Sequence, residues 1–275
     1  GHGDIYTALL ASGLLDALLD KGYRYAMTAN SDNLGAAPSA RIAGWFAASG
    51  APYAPEMCRR TPADVKGGHL AVRKSDGRII LRDTAQTPED QMHYFTDQFR
   101  HPFFHTNNLW FDLKVLRDTL ADRGGILGLP LIRNSKTVDP ADSSSTPVIQ
   151  LETAMGAAVE AFEGATAIEV PRSRFLPVKT TNDLLLVRSD VYEVDDDGLL
   201  RMVPERACTV NLDPRFYKKI QDFEARFPDG IPSIKDAQSL TVEGDWTFGA
   251  DVVATGEARV EAEGSPGRIA DGSRI

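Results

Sequence analysis

The first fifty residues constrain the fold more than any other stretch. Residues 5–20, IYTALLASGLLDALLD, set Leu9, Leu10, Leu14, Leu15, Leu18 and Leu19 on one broad apolar face at helical spacing. Asp4 is the expected N-cap of this helix and Gly22 its expected stop. YRYAMTA, 23–29, reads as a buried strand. It runs into Asn30-Ser31-Asp32-Asn33-Leu34-Gly35, and a helix is expected near 38–48. Helix, strand, loop and helix in that order predict an α/β fold with a largely parallel sheet. Ligands in open α/β sheets bind beyond the carboxyl ends of strands, and Asn30 to Asp32 occupy such an end.

Further along, HLAVR, a Ser75-Asp76-Gly77 turn and RIILR predict a hairpin over 69–82. Helices are expected near 88–99 and 111–123, the second following a short strand and an Asn107-Asn108 turn. DPADSSSTP, 139–147, reads as a polar loop. Residues 148–163 predict an amphipathic helix with Ile149, Leu151, Met155, Val159 and Phe162 inward. DLLLVRSDVY, 183–192, fits a strand or a buried helix equally well. A helix is expected near 214–226. LTVEGDWTFGADVVATGEARVEAEG, 240–264, alternates short β runs with Gly at even spacing, which predicts hairpins or solenoid coils.

The chain has 275 residues and a net charge of −9, with pI near 5.1. Bulk electrostatics therefore oppose nucleic-acid binding. An acidic protein that handles phosphorylated molecules needs local cations or Mg²⁺. Cys58 and Cys208 stand far apart and form neither a redox nor a metal motif, and both read as structural. His69, His93, His101 and His105 do not form a metal pattern. No long apolar run or leader pattern is present, so the expected location is the cytoplasm, with no membrane partner. Neither GxxxxGK[ST] nor GxGxxG occurs.

PRSRFLPVKTTNDLL, 171–185, gathers Arg172, Arg174 and Lys179 around Phe175-Leu176-Pro177-Val178. Two prolines argue against a helix here and favour an extended or turning, rigid segment. Fixed cations on such a segment suit phosphate chemistry, though a basic loop paired to an acidic surface has the same composition. Asp32 is the candidate ligand for Mg²⁺, which takes one or two carboxylates and completes its shell with water and substrate phosphates. A helix cap is the alternative role. Asn30, Asn107 and Asn108 offer both donor and acceptor to sugar hydroxyls, or serve as turn residues. Gly1-His2-Gly3-Asp4 presents backbone N–H groups at a helix start, where an anion can sit. Gly67-Gly68 permits close approach of backbone to a ligand.

Eight segments, in order, resemble the eukaryotic-type UTP–glucose-1-phosphate uridylyltransferases, or UDP-glucose pyrophosphorylases. They are GHGDIY (1–6), SGLLD (12–16), NSDNLGA (30–36), ADVKGG (63–68), AQTP (85–88), TNNLW (106–110), VIQLETAMGAA (148–158) and VPRSRFLPVKTTNDLLLV (170–187). The resemblance implies a partial Rossmann-like nucleotidyltransferase core over 1–232 and a short C-terminal left-handed β-helix over 233–275. It implies the conversion of UTP and glucose 1-phosphate into UDP-glucose and pyrophosphate, with Mg²⁺ as cofactor. It leaves room for a homo-oligomer formed through the C-terminal domain.

By position, the resemblance places Gly1 on the nucleotide and His2 on the sugar phosphate. Asn30 and Ser31 would help hold substrate, Asp32 would bind Mg²⁺, and Gly68 and Asn107 would contact the hexose. Lys179 would be the catalytic cation on the phosphates. Asp83 stands where the family is expected to carry a Glu that binds sugar hydroxyls, and His105 stands where an Asn is frequent before TNN. The family's Gly-rich LxGGxGT-like nucleotide loop has no counterpart, so the chain reads as a fragment that is inactive by itself. Two other readings are a UDP-N-acetylhexosamine pyrophosphorylase and a non-catalytic sugar-phosphate-binding or oligomerisation module.

Overall fold

Tyr53–Arg59 (YAPEMCR) is buried at every residue but the last, and an all-round apolar environment is what a central strand needs. The structure, a computed structural model, describes residues 1–61, 64, 67–84, 87–140 and 142–275. Parts of the ADVKGG and AQTP segments, at 62–63, 65–66 and 85–86, lie outside the described residues. The chain divides into two compact units. One comprises Gly1–Asn30 and Pro38–Arg172; the other comprises Ser31–Ala37 and Ser173–Ile275.

In the first unit a 3-10 turn over His2–Asp4 leads into α1 (Ile5–Ala11) and α2 (Leu14–Asp20). One helix was expected across both. Gly13, at φ 73°, ends the first and starts the second, because its backbone leaves the right-handed region at no steric cost. Asp4 stands at the N-cap of α1 as expected, but its backbone is already helical and its side chain makes no cap bond to that helix. Leu15 is buried, while Leu14, placed inward by the periodicity, is 49% exposed. Lys21 and Gly22 close α2 as the sequence suggests, and β1 (Tyr25–Thr28) follows.

The next elements are α3 (Ala40–Ser49), capped by the Ser39 hydroxyl, and then β2 (Tyr53–Arg59). The expected hairpin is formed by β3 (His69–Val72) and β4 (Ile79–Arg82). The helix expected near 88–99 contracts to a 3-10 turn and α4 (Met92–Phe95). β5 (Phe103–Asp112) runs through Asn107-Asn108, where a turn was expected, and α5 (Leu113–Asp122) is capped by Asp112. β6 (Leu131–Thr137) and β7 (Pro147–Thr153) pair as a long hairpin, and β8 (Ile168–Glu169) ends the unit.

The amphipathic helix expected over 148–163 is therefore β7 followed by a 3-10 turn over Met155–Ala161. Ile149 and Leu151 are exposed strand residues, whereas Met155, Val159 and Phe162 enter the core. The main sheet runs β1-β5-β2-β8, with β5 antiparallel to both neighbours and only β2–β8 parallel. The expectation of a largely parallel sheet fails because β5 comes between β1 and β2. Its core includes Tyr6, Leu15, Tyr53, Leu109, Phe111, Leu116 and Phe162.

The second unit begins with α6 (Thr181–Arg188), resolving the strand-or-helix ambiguity of that stretch as helix. β9 (Tyr192–Val194) and β10 (Leu200–Met202) form a hairpin around the acidic turn. β11 (Thr209–Leu212) precedes two short helices, α7 (Pro214–Tyr217) and α8 (Ile220–Arg226), where one was expected. The tail holds β12 (Ala237–Val242), β13 (Trp246–Phe248), β14 (Gly256–Val260) and β15 (Gly267–Ile269). All its ladders are parallel: β11-β12-β14, β13-β15, and the bridges Ser233↔Val253 and Val253↔Arg274. Within the tail, partners such as Val242↔Val260, Ser233↔Val253 and Trp246↔Gly267 stand 18, 20 and 21 positions apart. Each coil thus uses about twenty residues. Leu240, Val242, Phe248, Val252, Ala258 and Ile269 fill the interior.

Candidate active site

Two steps along β2, from Pro55 to Met57, face four steps along β5, from Leu109 back to His105. The extra residues form a bulge at Thr106-Asn107-Asn108, and Asn107 sits at φ 65°, which Asn tolerates better than most residues. Bulges re-aim side chains, and here the Asn107 amide donates to Asn30 Oδ1 at 2.8 Å. Two amides expected to hold substrate are therefore brought together by a strand irregularity rather than by a turn.

Glu56, which the sequence reading missed, supports this bulge. It is fully buried. Its carboxylate accepts from Asn108 Nδ2 at 3.1 Å and from Trp110 Nε1 at 2.9 Å, while the Thr106 hydroxyl donates to its carbonyl at 2.8 Å. A buried carboxylate is tolerable when donors surround it in this way. Asn108 thus holds the bulge from inside. A lone Glu within the apolar run YAPEMC was the available signal.

His2 lies at the same end of this unit. Its Nδ1 accepts the Met155 N–H at 2.9 Å, so the neutral ring carries its proton on Nε2. Partial burial lowers its pKa, partly offset by Glu152. The hydroxyls of Tyr6 and Tyr53 converge on the Met155 carbonyl at 2.8 and 3.0 Å. His105 Nδ1 accepts the Asn107 N–H at 3.1 Å, and its buried Nε2 has no hydrogen-bond partner among the described residues. Burial, with the neighbouring His2, pushes the His105 pKa down to about 4. A Cβ at position 156 would lie 2.7 Å from His105 Cε1 and 3.1 Å from Asn107 Oδ1, so only Gly156 fits. The 3-10 turn of Met155 and Gly156 therefore fixes His2, His105 and Asn107 together. The sequence reading missed both turn residues.

Gly68 accepts the His105 N–H at 2.7 Å, and a Cβ there would lie 3.2 Å from Asp83 Oδ2, so Gly68 and Asp83 are neighbours. Gly1 is exposed, and a Cβ on it would meet Glu152 at 2.5 Å. His2, Asn30, Gly68, Asp83 and Asn107 all belong to the first unit, linked through β5 and the Met155 turn.

Ser31, Asp32 and Lys179 belong to the second unit. The Val178 N–H donates to the Asp32 carbonyl at 2.8 Å, and the Leu34 N–H donates to the Leu176 carbonyl at 3.0 Å. Asn33 reinforces the contact, its Oδ1 accepting from the Leu176 N–H at 2.8 Å. Ser31 is exposed. The Asp32 carboxylate makes no hydrogen bond or ion pair among the described residues and stays available to a cation. Thr180 and Asp183 form a reciprocal capping box for α6, and Asp183 Oδ2 also accepts the Lys179 N–H at 3.0 Å. The Lys179 backbone is thus anchored, while its ammonium has no partner among the described residues.

The arginines of the basic segment are committed elsewhere. Arg172 forms a two-pronged pair with Asp64, at 2.6 and 3.0 Å, and Arg174 donates to the Ala37 carbonyl at 2.7 Å. The paired-surface reading of a basic loop holds for Arg172. Among the described residues no group of three or more His, Cys, Asp or Glu could hold a metal, and no helix is long and apolar enough to cross a membrane.

The mixed α/β units have counterparts among solved structures. The structure matches a point mutant of UDP-glucose pyrophosphorylase from Leishmania major with a TM-score of 0.86 and 43% identity, covering 100% of this chain and 60% of that one. A UDP-glucose phosphorylase from Trypanosoma brucei matches with a TM-score of 0.86 and 44% identity, at the same coverage. The chain is 41% identical over 280 residues to the UTP–glucose-1-phosphate uridylyltransferase of Solanum tuberosum, covering 100% of this chain and 56% of its relative. It is 40% identical to that of Saccharomyces cerevisiae, covering 93% and 50%. The family model described as UTP–glucose-1-phosphate uridylyltransferase matches residues 1–254. The chain belongs to the UTP–glucose-1-phosphate uridylyltransferase family. It spans about half the length of the curated relatives it matches.

Proposed function

We propose that the protein carrying this chain joins UTP and glucose 1-phosphate into UDP-glucose and pyrophosphate. A phosphate oxygen of the sugar phosphate attacks the α-phosphorus of UTP. The bond from that phosphorus to the bridging oxygen breaks, and pyrophosphate leaves. The nucleophile is already anionic, so no general base is required. The Asn30–Asn107 pair on its bulge carries this reading, because paired amides beside Gly68 and Asp83 offer directional donors and acceptors for a hexose. His2 keeps an Nε2–H for the sugar phosphate and Gly1 approaches the nucleotide. Ser31 contributes to substrate binding. Lys179 opposes the charge that develops on the phosphates.

Asp32 fits Mg²⁺, since its carboxylate has no hydrogen-bond or ion-pair partner among the described residues and this ion needs few carboxylates when phosphates complete its shell. When bound, Mg²⁺ neutralises phosphate charge. The same reading makes residues 1–232 a Rossmann-like nucleotidyltransferase core. It makes 233–275 a left-handed β-helix, supported by the parallel ladders and the twenty-residue coil. It places the protein in the cytoplasm and allows copies to associate through those coils. The test is formation of UDP-glucose and pyrophosphate from UTP and glucose 1-phosphate, with N-acetylglucosamine 1-phosphate as the competing substrate. A preference for the N-acetyl sugar, or binding of sugar phosphate without turnover, would overturn the assignment.

A further inference from the structure

A cavity of about 410 Å³ opens in the first unit, bordered by Met57, His69, Arg100, His101, Phe103 and Ile168. None of these residues belongs to the candidate active site. The volume lies within the range of small-molecule sites. His69 is 1% exposed and stacks on His101 with ring centroids 3.8 Å apart. The His69 Nδ1 faces Arg60 Nη2 at 3.4 Å, where only the arginine can donate, so the His69 proton sits on Nε2. That Nε2 is buried and has no hydrogen-bond partner among the described residues, and neither does the buried Nε of Arg60. His69, which lines the cavity, and Arg60 beside it thus each hold a buried donor without an acceptor among the described residues, and such donors are rare in folded proteins.

Three arginines stand around them. Arg60 donates to the carbonyls of Phe95 and Gly67. Arg82 donates to the Gln91 amide oxygen. Arg100 lies over the Tyr94 ring. None of the three forms an ion pair among the described residues. Burial and their combined field hold both histidines neutral, His69 near pKa 3. The carboxylate of Asp97 accepts from backbone N–H groups of its own turn, and Glu169 on the rim is already paired with Arg59 at 2.9 Å. Met57, Phe103 and Ile168 add apolar side chains to the lining.

We propose that this cavity is a second ligand site, which takes a small organic anion with an acidic group of the phosphate-ester type. The acidic group is held at the His69–His101–Arg100 side, and the carbon body lies on Met57, Phe103 and Ile168. An acceptor there satisfies the orphaned His69 donor and neutralises the cationic wall.

Phenyl phosphate is the probe, titrated calorimetrically while the ring signals of His69 and His101 are followed by NMR. Saturable binding that shifts both rings is expected, about tenfold tighter than phenol or inorganic phosphate alone. Arg100→Ala should weaken it about tenfold. Ala167→Leu, which fills the cavity without touching a charge, should abolish it, and Lys179→Ala should leave it unchanged. No saturation, unmoved histidine signals, or binding that is lost in Lys179→Ala and kept in Arg100→Ala and Ala167→Leu would overturn the proposal. Equal affinity for inorganic phosphate would overturn the organic body.

Discussion

The side-chain amide of Asn107 reaches Asn30 across 77 positions of sequence and bonds to it at 2.8 Å. Asn107 can do so because its backbone sits at φ 65°. Asn107→Gly keeps that backbone and removes the amide, whereas Asn107→Ala also strains it. Denaturant unfolding should find the Ala variant about 1 kcal/mol less stable than the Gly variant. Both variants should raise KM for glucose 1-phosphate and leave KM for UTP unchanged, because a sugar hydroxyl loses its partner at about 1–3 kcal/mol. Equal effects on both substrates would assign Asn107 to loop stability alone.

Lys179→Ala should lower turnover about 10²–10³-fold, the scale of a preorganised group acting on developing charge. The ammonium makes no hydrogen bond or ion pair among the described residues, and the backbone is held by Asp183. Stability should therefore move by less than about 0.5 kcal/mol. Near-normal turnover would remove Lys179 from the chemistry.

Asp32→Asn keeps the shape of the side chain and the main-chain bond from Val178. Turnover should fall steeply and half-maximal Mg²⁺ should rise, while the melting temperature holds. Altered melting with unaltered metal dependence would mark a structural role.

Acid should destabilise the first unit through His105. Its pKa lies near 4 when folded, against 6.5 for an ordinary histidine. Between those values the unfolded chain binds the extra proton. The contribution is complete above pH 6.5 and is lost as pH falls toward 4. By about pH 5 it amounts to about 1–2 kcal/mol. Unfolding titrations at falling pH should show a shallower decline in His105→Asn than in the parent.

Gly35 marks a contact that tolerates no side chain. A Cβ there would lie 2.5 Å from the Ser173 carbonyl oxygen and 2.8 Å from the Phe175 nitrogen, both main-chain atoms. Gly35→Ala should cost about 1–3 kcal/mol. Gly44→Ala, in α3 with nothing within 4 Å, should instead stabilise by about 0.5–1 kcal/mol. Comparing the two melting curves separates crowding from backbone entropy.

The sequence exposed those elements whose apolar pattern coincides with burial. α3, α5 and the 69–82 hairpin appear where their capping and turn residues place them. The failures share a cause. Ile149 and Leu151 mimic a helical face with Met155 and Val159, yet the first two sit exposed on β7 and the others are buried after it. Periodicity assumes that an apolar residue is buried, and a solvated hairpin breaks that assumption. Asn107-Asn108 carries turn chemistry, but the bulge needs the same left-handed tolerance within a strand. The placement of β5 between β1 and β2 depends on long-range pairing that no local window contains. At the candidate site, the sequence singled out polar residues such as Asn30, Asn107 and Lys179. Those that position them, Glu56, Gly156 and Asp183, were not singled out, because their partners lie on other elements or in the next turn.

The clasp between residues 32–34 and 176–178 is made mainly of peptide groups. Peptide groups are common to all residues, so the separation between the Asp32 carbonyl and the residue preceding Lys179 is indifferent to which side chains stand at 32 and 179. Charge can be exchanged at either position without moving the other. Evolution can therefore vary positions 32 and 179 independently, through single substitutions on an unchanged frame.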